Sequence, residues 1–289
     1  MNKTTAFAPG HITGFFEIKS HNDIKKRGST GCGIVINGGI ETTVFDCESL
    51  NKSKIILNGT EVISKTTESV ISMLTDVPLI IQVKSDIPIG SGFGASGAGA
   101  LSAAYAINKQ LSLNKSKKQL MEIARIAEIE NESGLGDVIA QFFGGIVIRK
   151  EPITTSNLSR ISCNYGDFKV LCVTRGQIPT KSVISESATI NKINKAGKIA
   201  LKSVLKTPTI DNFMHQSKVF SKSIEIMPDW IKDAIESVER VEGMGSQAMI
   251  GNTVFAIADK FTELEVCSAL AEFGDVFIYN IDCNTVFDS

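Results

Sequence analysis

Residues 88–108 read PIGSGFGASGAGALSAAYAIN, with five glycines between positions 90 and 99 and an alanine-rich apolar run behind them. Backbone so permissive either turns sharply or lets another group approach closely. Leu79–Val83 has the composition of a buried strand and Ala95–Ile107 that of a helix, so the glycines form a strand-to-helix turn. Gly92–Gly97 matches GxGxxG literally, but a dinucleotide site also needs a strand after the helix and an acid about 20 residues on. Here a second helix follows, Lys117–Glu130, and positions 115–118 are KSKK. The other common phosphate loop ends in Gly-Lys-Ser/Thr, whereas Gly97 is followed by Ala98. What these residues do supply is a helix start whose first N–H groups lack partners, at the positive end of the helix dipole. That is a seat for an anion, most often phosphate. Ser96 adds a hydroxyl suited to a phosphate oxygen or to Mg²⁺. The plainer alternative is a tight turn in which Gly97 and Gly99 only allow close helix packing.

The chain has 289 residues, 43% of them hydrophobic and 21% charged, with a net charge of -1. That is room for one large domain or two small ones, with no electrostatic bias toward nucleic acid or an anionic membrane. The opening MNKTTAFAPG runs from polar residues to a turn, without the apolar stretch of a secretory leader. Apolar runs such as Val77–Val83 are strand-length, far short of a bilayer span. The six cysteines, at 32, 47, 163, 172, 267 and 283, form no CxxC pair. They read as small buried hydrophobes with reduced thiols, which fits a cytoplasmic protein.

Thr4–Ala8, Gly33–Asn37 and Glu41–Phe45 read as strands, with Ile55–Leu57 a further candidate; Val62–Leu74 has helical spacing. After the two helices behind the glycine turn come SGLGD, a short apolar segment and a strand, Ile146–Arg149. The polar, aperiodic Glu151–Ser159 marks a boundary between domains 1–155 and 156–289. The second half reads as a strand, Phe168–Thr174, then helices divided by Pro208 and Pro228. Strand Met249–Ala258, helix Leu264–Phe273 and strand Val276–Ile281 complete a small α+β pattern.

A phosphate site needs partners, and four side chains are candidates. Arg125 and Glu128 lie three apart on one helix, so Glu128 can face a metal while Arg125 faces an anion beside it. A solvated ion pair explains the same spacing. Asp137, between SGLG and VIAQFF, suits an acceptor for an alcohol proton, or equally a helix cap. Arg149 ends the strand IVIR as a fork for a carboxylate, or as a solvated strand end. His11 is either packed under the first turn or in polar contact with substrate; His21 and His215 read as surface residues, and Lys25–Arg27 as a solvated basic loop.

Taken together, these residues carry a resemblance. PIGSGFGASGAGALSAA resembles the second motif of the GHMP kinase superfamily, P-x-x-x-G-L-G-S-S-A-A; Pro88, Gly92, Gly94 and Ser96 match, and Ala95 and Gly97 depart. AFAPGHITGFFEI at 6–18 is similar to the first motif and GMGSQAMIGNTVFAI at 243–257 to the third. The order is the expected one, and the three span nearly the whole chain. Within the superfamily, FAPGHITGFFEI, GSTGCGIVI and SGLGDVIAQFFGGIVIRK resemble the archaeal pantoate kinases. The resemblance implies a two-domain α+β GHMP kinase fold, with an N-terminal β/α domain like domain 2 of ribosomal protein S5 and a ferredoxin-like C-terminal domain. It implies phosphorylation of pantoate by ATP with Mg²⁺, on the archaeal route to coenzyme A. ATP would sit on Pro88, Gly90, Gly92, Gly94, Ala95, Ser96 and Gly97, with the metal on Ser96 and Glu128. Asp137 would be the catalytic acid–base or positioning group, while Ser29, Arg125, Arg149 and His11 would face the substrate. Position 125 is arginine where the family pattern has histidine, and His11 stands where mevalonate kinase relatives have lysine. The loop 243–251 would close against the nucleotide side, and Asp46–Lys54 is where an adenine loop would fall. The expected partner is a small molecule, with no nucleic acid or membrane; the assembly would be a homodimer. Alternatives are pantothenate, homoserine or mevalonate as acceptor, or a non-catalytic nucleotide-binding module.

Overall fold

The computed structural model describes residues 3–46, 50–153, 157–176, 187–249, 251–283 and 287–288. The first sheet is built on two long strands, β1 (Lys3–Lys19) and β2 (Gly28–Asp46), paired antiparallel almost end to end. AFAPGH, which reads as a turn, is strand throughout. A register shift between Pro9 and Gly10 accommodates it, and a second shift lies between Thr13 and Phe15. Proline lacks the N–H that a regular ladder requires, so it falls at an irregularity of this kind.

Then come β3 (Lys54–Leu57), β4 (Thr60–Glu61), α1 (Lys65–Leu74), β5 (Leu79–Ser85), α2 (Ala95–Gln110), α3 (Lys117–Glu130), α4 (Asp137–Phe143), β6 (Ile146–Arg149) and β7 (Leu158–Arg160). Helix starts follow the local chemistry: Ser64 caps α1, and Ser116 with Gln119 forms a reciprocal capping box on α3. The remaining elements are β8 (Phe168–Thr174), α5 (Ser187–Lys206), α6 (Ile210–Ser223), α7 (Asp229–Arg240), β9 (Met244–Gln247), β10 (Thr253–Asp259), α8 (Glu263–Ala271), β11 (Phe277–Asn280) and β12 (Phe287–Asp288).

The first sheet runs β12-β1-β2-β5-β3-β4, with β6 on β2 and β7 on β6. One side of β2 is shared: Gly31–Ile34 pair with β6, and Ile40–Asp46 pair with β5. The second sheet, β11-β8-β10-β9, is antiparallel throughout. This is the two-domain α+β layout. The expected division at 155/156 lies outside the described residues, and β7 beyond it still belongs to the first sheet.

Strand β8 shows why the two halves cohere. Leu171 and Val173 face one way, into a core with Ile231, Ile235 and Val238 of α7. Those helix positions recur every three to four residues, as a single apolar stripe requires. Val170 and Cys172 face the other way, into the main core. That core continues through Phe15 and Phe16 of β1, whose rings pack against Phe213 and Phe220 of α6.

Candidate active site

A cavity of about 560 Å³ opens between the first sheet, the glycine turn and the segment joining α3 to α4. Its floor at one end is the start of α2. Gly94 caps that helix with φ 64° and no side-chain hydrogen bond, so the first N–H groups are free to receive an anion. Gly90, Gly92, Gly94, Ala95, Ser96 and Gly97 all line the cavity. Pro88 leads into the turn without reaching the wall. Gly92 has φ 91° and lies against Gly251, and a Cβ on Gly97 would come within 2.8 Å of the Gln141 amide oxygen and 3.1 Å of a Glu128 oxygen. A side chain at position 97 would press on both of those side chains.

Two carboxyls share this wall. Glu128, on α3, is 2% exposed and accepts a hydrogen bond from Ser133 at 2.9 Å and one from Ser96. Burial, reinforced by the charge of Asp137, pushes its pKa up to about 7 despite those hydroxyls. Asp137, at the start of α4, is 25% exposed on the cavity side. His11 stands behind it, with Nδ1 2.6 Å from Asp137 Oδ1, and the Thr13 hydroxyl donates to the same oxygen at 3.3 Å. Burial works to raise Asp137, but the hydrogen bond from His11, the charge of Arg149 and the Thr13 hydroxyl outweigh it, and its pKa is lowered. Burial likewise lowers His11 and keeps it neutral, so Nδ1–H donates to an ionised carboxylate.

Arg149, on β6, also lines the cavity, is 1% exposed and donates through Nη1 to the Ser29 hydroxyl at 2.9 Å. Its Nε has no protein partner. A buried guanidinium with an unused donor at a cavity wall suits a carboxylate. SGLGD explains itself here. A Cβ on Gly134 would overlap the Glu128 carboxylate, and one on Gly136 would overlap Arg149 Nη1. Both glycines exist for close approach, one to each functional side chain.

Two expected contacts are absent. His11 is fully buried between Asp137 and Gly33 and does not line the cavity; its ring bonds Asp137. Arg125 also stays off the wall. Its guanidinium is committed to Glu122 at 2.8 and 2.5 Å and to the main-chain carbonyls of Arg27 and Lys25 at 2.9 and 2.8 Å. The three-residue spacing that puts Arg125 beside Glu128 puts it equally beside Glu122, and the latter pairing prevails.

The loop before β10 does reach the cavity. Met249 lines it, Met249 N–H donates to the Thr13 carbonyl at 2.9 Å, and the Thr253 hydroxyl donates to the Ser91 carbonyl at 2.6 Å; residue 250 lies outside the description. Sequence reasoning missed the apolar wall made by Ile55, Leu57, Val62, Val83 and Ile89. Its signal was there in Ile55–Leu57, a strand too short to interpret alone. Among the described residues, no cluster of three or more His, Cys, Asp or Glu side chains could hold a metal ion, and no helix is long and apolar enough to cross a membrane. The described cysteines are all free, Cys32 and Cys172 buried, Cys163 and Cys267 half-buried and Cys283 exposed; Cys47 lies outside the description.

The family described as GHMP kinases N terminal domain matches residues 60–145, which span the glycine turn and both acids. Pantoate kinase of Methanocaldococcus jannaschii is 37% identical over 91% of this chain and 96% of its own length. The chain belongs to the pantoate kinase family of GHMP kinases. Pantoate kinase of Thermococcus kodakarensis is 30% identical over 87% of the chain and 86% of its length. A solved structure described as a phosphotransferase related to the CoA biosynthesis pathway superposes with a TM-score of 0.90, at 25% identity, covering 100% of this chain and 99% of that one. As a GHMP kinase the chain is a small-molecule kinase that uses ATP.

Proposed function

We propose that this kinase transfers the γ-phosphoryl group of ATP to the 4-hydroxyl of (R)-pantoate, giving ADP and (R)-4-phosphopantoate, in coenzyme A biosynthesis. The observation that carries the reading is one ionised carboxylate, Asp137, on a wall between an anion seat and a buried arginine. The names of the full-length relatives support it.

The residues take roles accordingly. N–H groups at the start of α2 and the glycine backbone receive the phosphates, and the apolar wall from Ile55 to Ile89 receives the base. Glu128 and Ser96 fit a magnesium ion. Glu128 is a buried carboxylate acted on by burial, a second negative charge and two hydroxyls, with no cation to balance it. Mg²⁺ is commonly held by one or two carboxylates together with substrate phosphates. Bound there, the ion would neutralise charge on the phosphates. Arg149, braced by Ser29, holds the acceptor's carboxylate. Asp137 accepts a hydrogen bond from the acceptor's hydroxyl and so aims that oxygen at the γ-phosphorus. As the new P–O bond forms and the bond to ADP breaks, the hydroxyl proton passes toward Asp137. The free thiols suit a cytoplasmic location, and we retain the homodimer as the proposed assembly.

The test is ADP release by the purified protein with ATP, Mg²⁺ and, separately, pantoate, pantothenate, homoserine or mevalonate. Turnover with pantoate, reduced about 10²- to 10⁴-fold in Asp137→Asn, is expected. Turnover confined to pantothenate moves the enzyme one step along; no ADP with any of the four sinks the reading.

A further inference from the structure

The basic loop before β2 is tied to the cavity more firmly than a solvated turn needs. Ile24–Lys26 form one 3₁₀ turn capped by Asp23, and Arg27 follows in an extended conformation, φ -76° and ψ 156°. Residues 27 to 29 continue extended into β2, so the side chains of Arg27 and Ser29 leave the same face. Both line the cavity. Ser29 is the residue that braces Arg149.

The segment is gripped from two sides. Arg125 places one guanidinium on the carbonyls of Lys25 and Arg27 at once, and its charge is balanced by Glu122. Gly28, lacking a side chain, lets the backbone lie against the Pro152 and Leu135 carbonyls, and Leu135 is part of the turn that ends in Asp137. A buried arginine spent on two backbone carbonyls is an expensive device for a loop with no task. Arg27 itself is exposed, and among the described residues only the His21 carbonyl, at 2.6 Å from Nε, accepts from its guanidinium. Its two terminal nitrogens remain for a ligand, and the other arginine lining the same cavity, Arg149, has an Nε without a partner among the described residues.

We propose that Arg27 is a second carboxylate-binding residue for the acceptor, acting with Arg149, and that Arg125 is its positioning residue. The inference rests on the hydroxy-acid acceptor proposed above. Two arginines on one carboxylate give planar, charge-assisted recognition that an uncharged acceptor cannot use. They separate the acid from its amide or alcohol analogue.

The test is steady-state kinetics of the full chain as wild type, Arg27→Gln, Arg125→Ala, Arg125→Lys and the double variant Arg27→Gln/Arg125→Ala, with thermal midpoints alongside. Arg27→Gln is expected to raise KM for pantoate about 10- to 100-fold, the range of a lost charged hydrogen bond, with kcat and KM for ATP little changed. Arg125→Ala shifts the same parameter, Arg125→Lys recovers part of it, and the double variant is no worse than Arg27→Gln alone. An unchanged KM for pantoate in Arg27→Gln overturns the proposal, even where Arg125→Ala proves unstable. A wild type that prefers another hydroxy acid overturns the pantoate reading alone, and Arg27→Gln is then judged on that acid's KM. A preferred acceptor with no carboxylate overturns both.

Discussion

Asp137 and Glu128 share one cavity wall yet their pKa values are driven in opposite directions by what surrounds them. Asp137 has a histidine N–H, a threonine hydroxyl and a nearby arginine; Glu128 has two hydroxyls and burial. Removing His11's donor removes what holds Asp137 down. His11→Leu, which has no donor, is expected to move the acid limb of the kcat profile to higher pH and to lower kcat about tenfold at neutral pH, read from pH–rate curves. For Glu128 the consequence is in stability. Its folded pKa of about 7 lies above the ordinary 4.5, so in metal-free buffer the unfolded chain loses its proton first as pH rises. Stability therefore falls between those two values and is flat above, by about 3 kcal/mol in all. Glu128→Gln is expected to be more stable than wild type at pH 8 without divalent cation, the gap closing toward pH 5, measured by urea unfolding. The same variant loses magnesium-dependent turnover. Ser96, Glu128, Asp137 and Arg149, candidates from the sequence whose roles the family resemblance implied, all line one cavity. Arg27 and the true work of Arg125 were not legible in the sequence, because a backbone carbonyl almost 100 residues away leaves no mark on a motif.

Single elements show where local reading succeeds. Helices and short strands with a cap or an apolar stripe came through nearly to the residue, as at Lys117–Glu130, Ile146–Arg149 and Phe168–Thr174. The opening strands did not, since glycines and a proline read as turns while the tertiary ladder carries the chain straight through them. Glycines in SGLGD are similar: their spacing is visible, but their reason is the side chain each admits. Gly134→Ala is expected to displace Glu128 and raise the Mg²⁺ requirement, while Gly136→Ala displaces Arg149 and raises KM for the acceptor. Titrating Mg²⁺ and acceptor separately in the two variants distinguishes them. Equal effects on both parameters in both variants would mean that the turn fails as a whole.

Across the whole molecule, the glycine turn is closed off by the second sheet. Gly251 packs on Ser91 and Gly92, and Thr253 bonds the Ser91 carbonyl. That buried carbonyl accepts from the Thr253 hydroxyl, so Thr253→Val leaves it short of a donor at about 1–3 kcal/mol. The expected result is a KM for ATP raised about fivefold or more, with KM for the acceptor unmoved, since Thr253 bonds the glycine turn and neither Arg149 nor Ser29. Isothermal titration with a non-hydrolysable nucleotide checks the first half and initial rates the second.

The same contact bears on biosynthesis of the protein itself. A chain made from its amino end lays down the glycine turn, both acids and Arg149 well before Met249 and Thr253 leave the ribosome. The anion seat is then a strand-to-helix turn with no wall on one side, and Gly92 has nothing to lean on. A nascent polypeptide stalled short of residue 253 would hold nearly every polar group of the site and still bind nucleotide poorly. Catalytic competence is thus a late event in translation, reached when the carboxyl-terminal sheet folds back onto a turn completed more than 150 residues earlier.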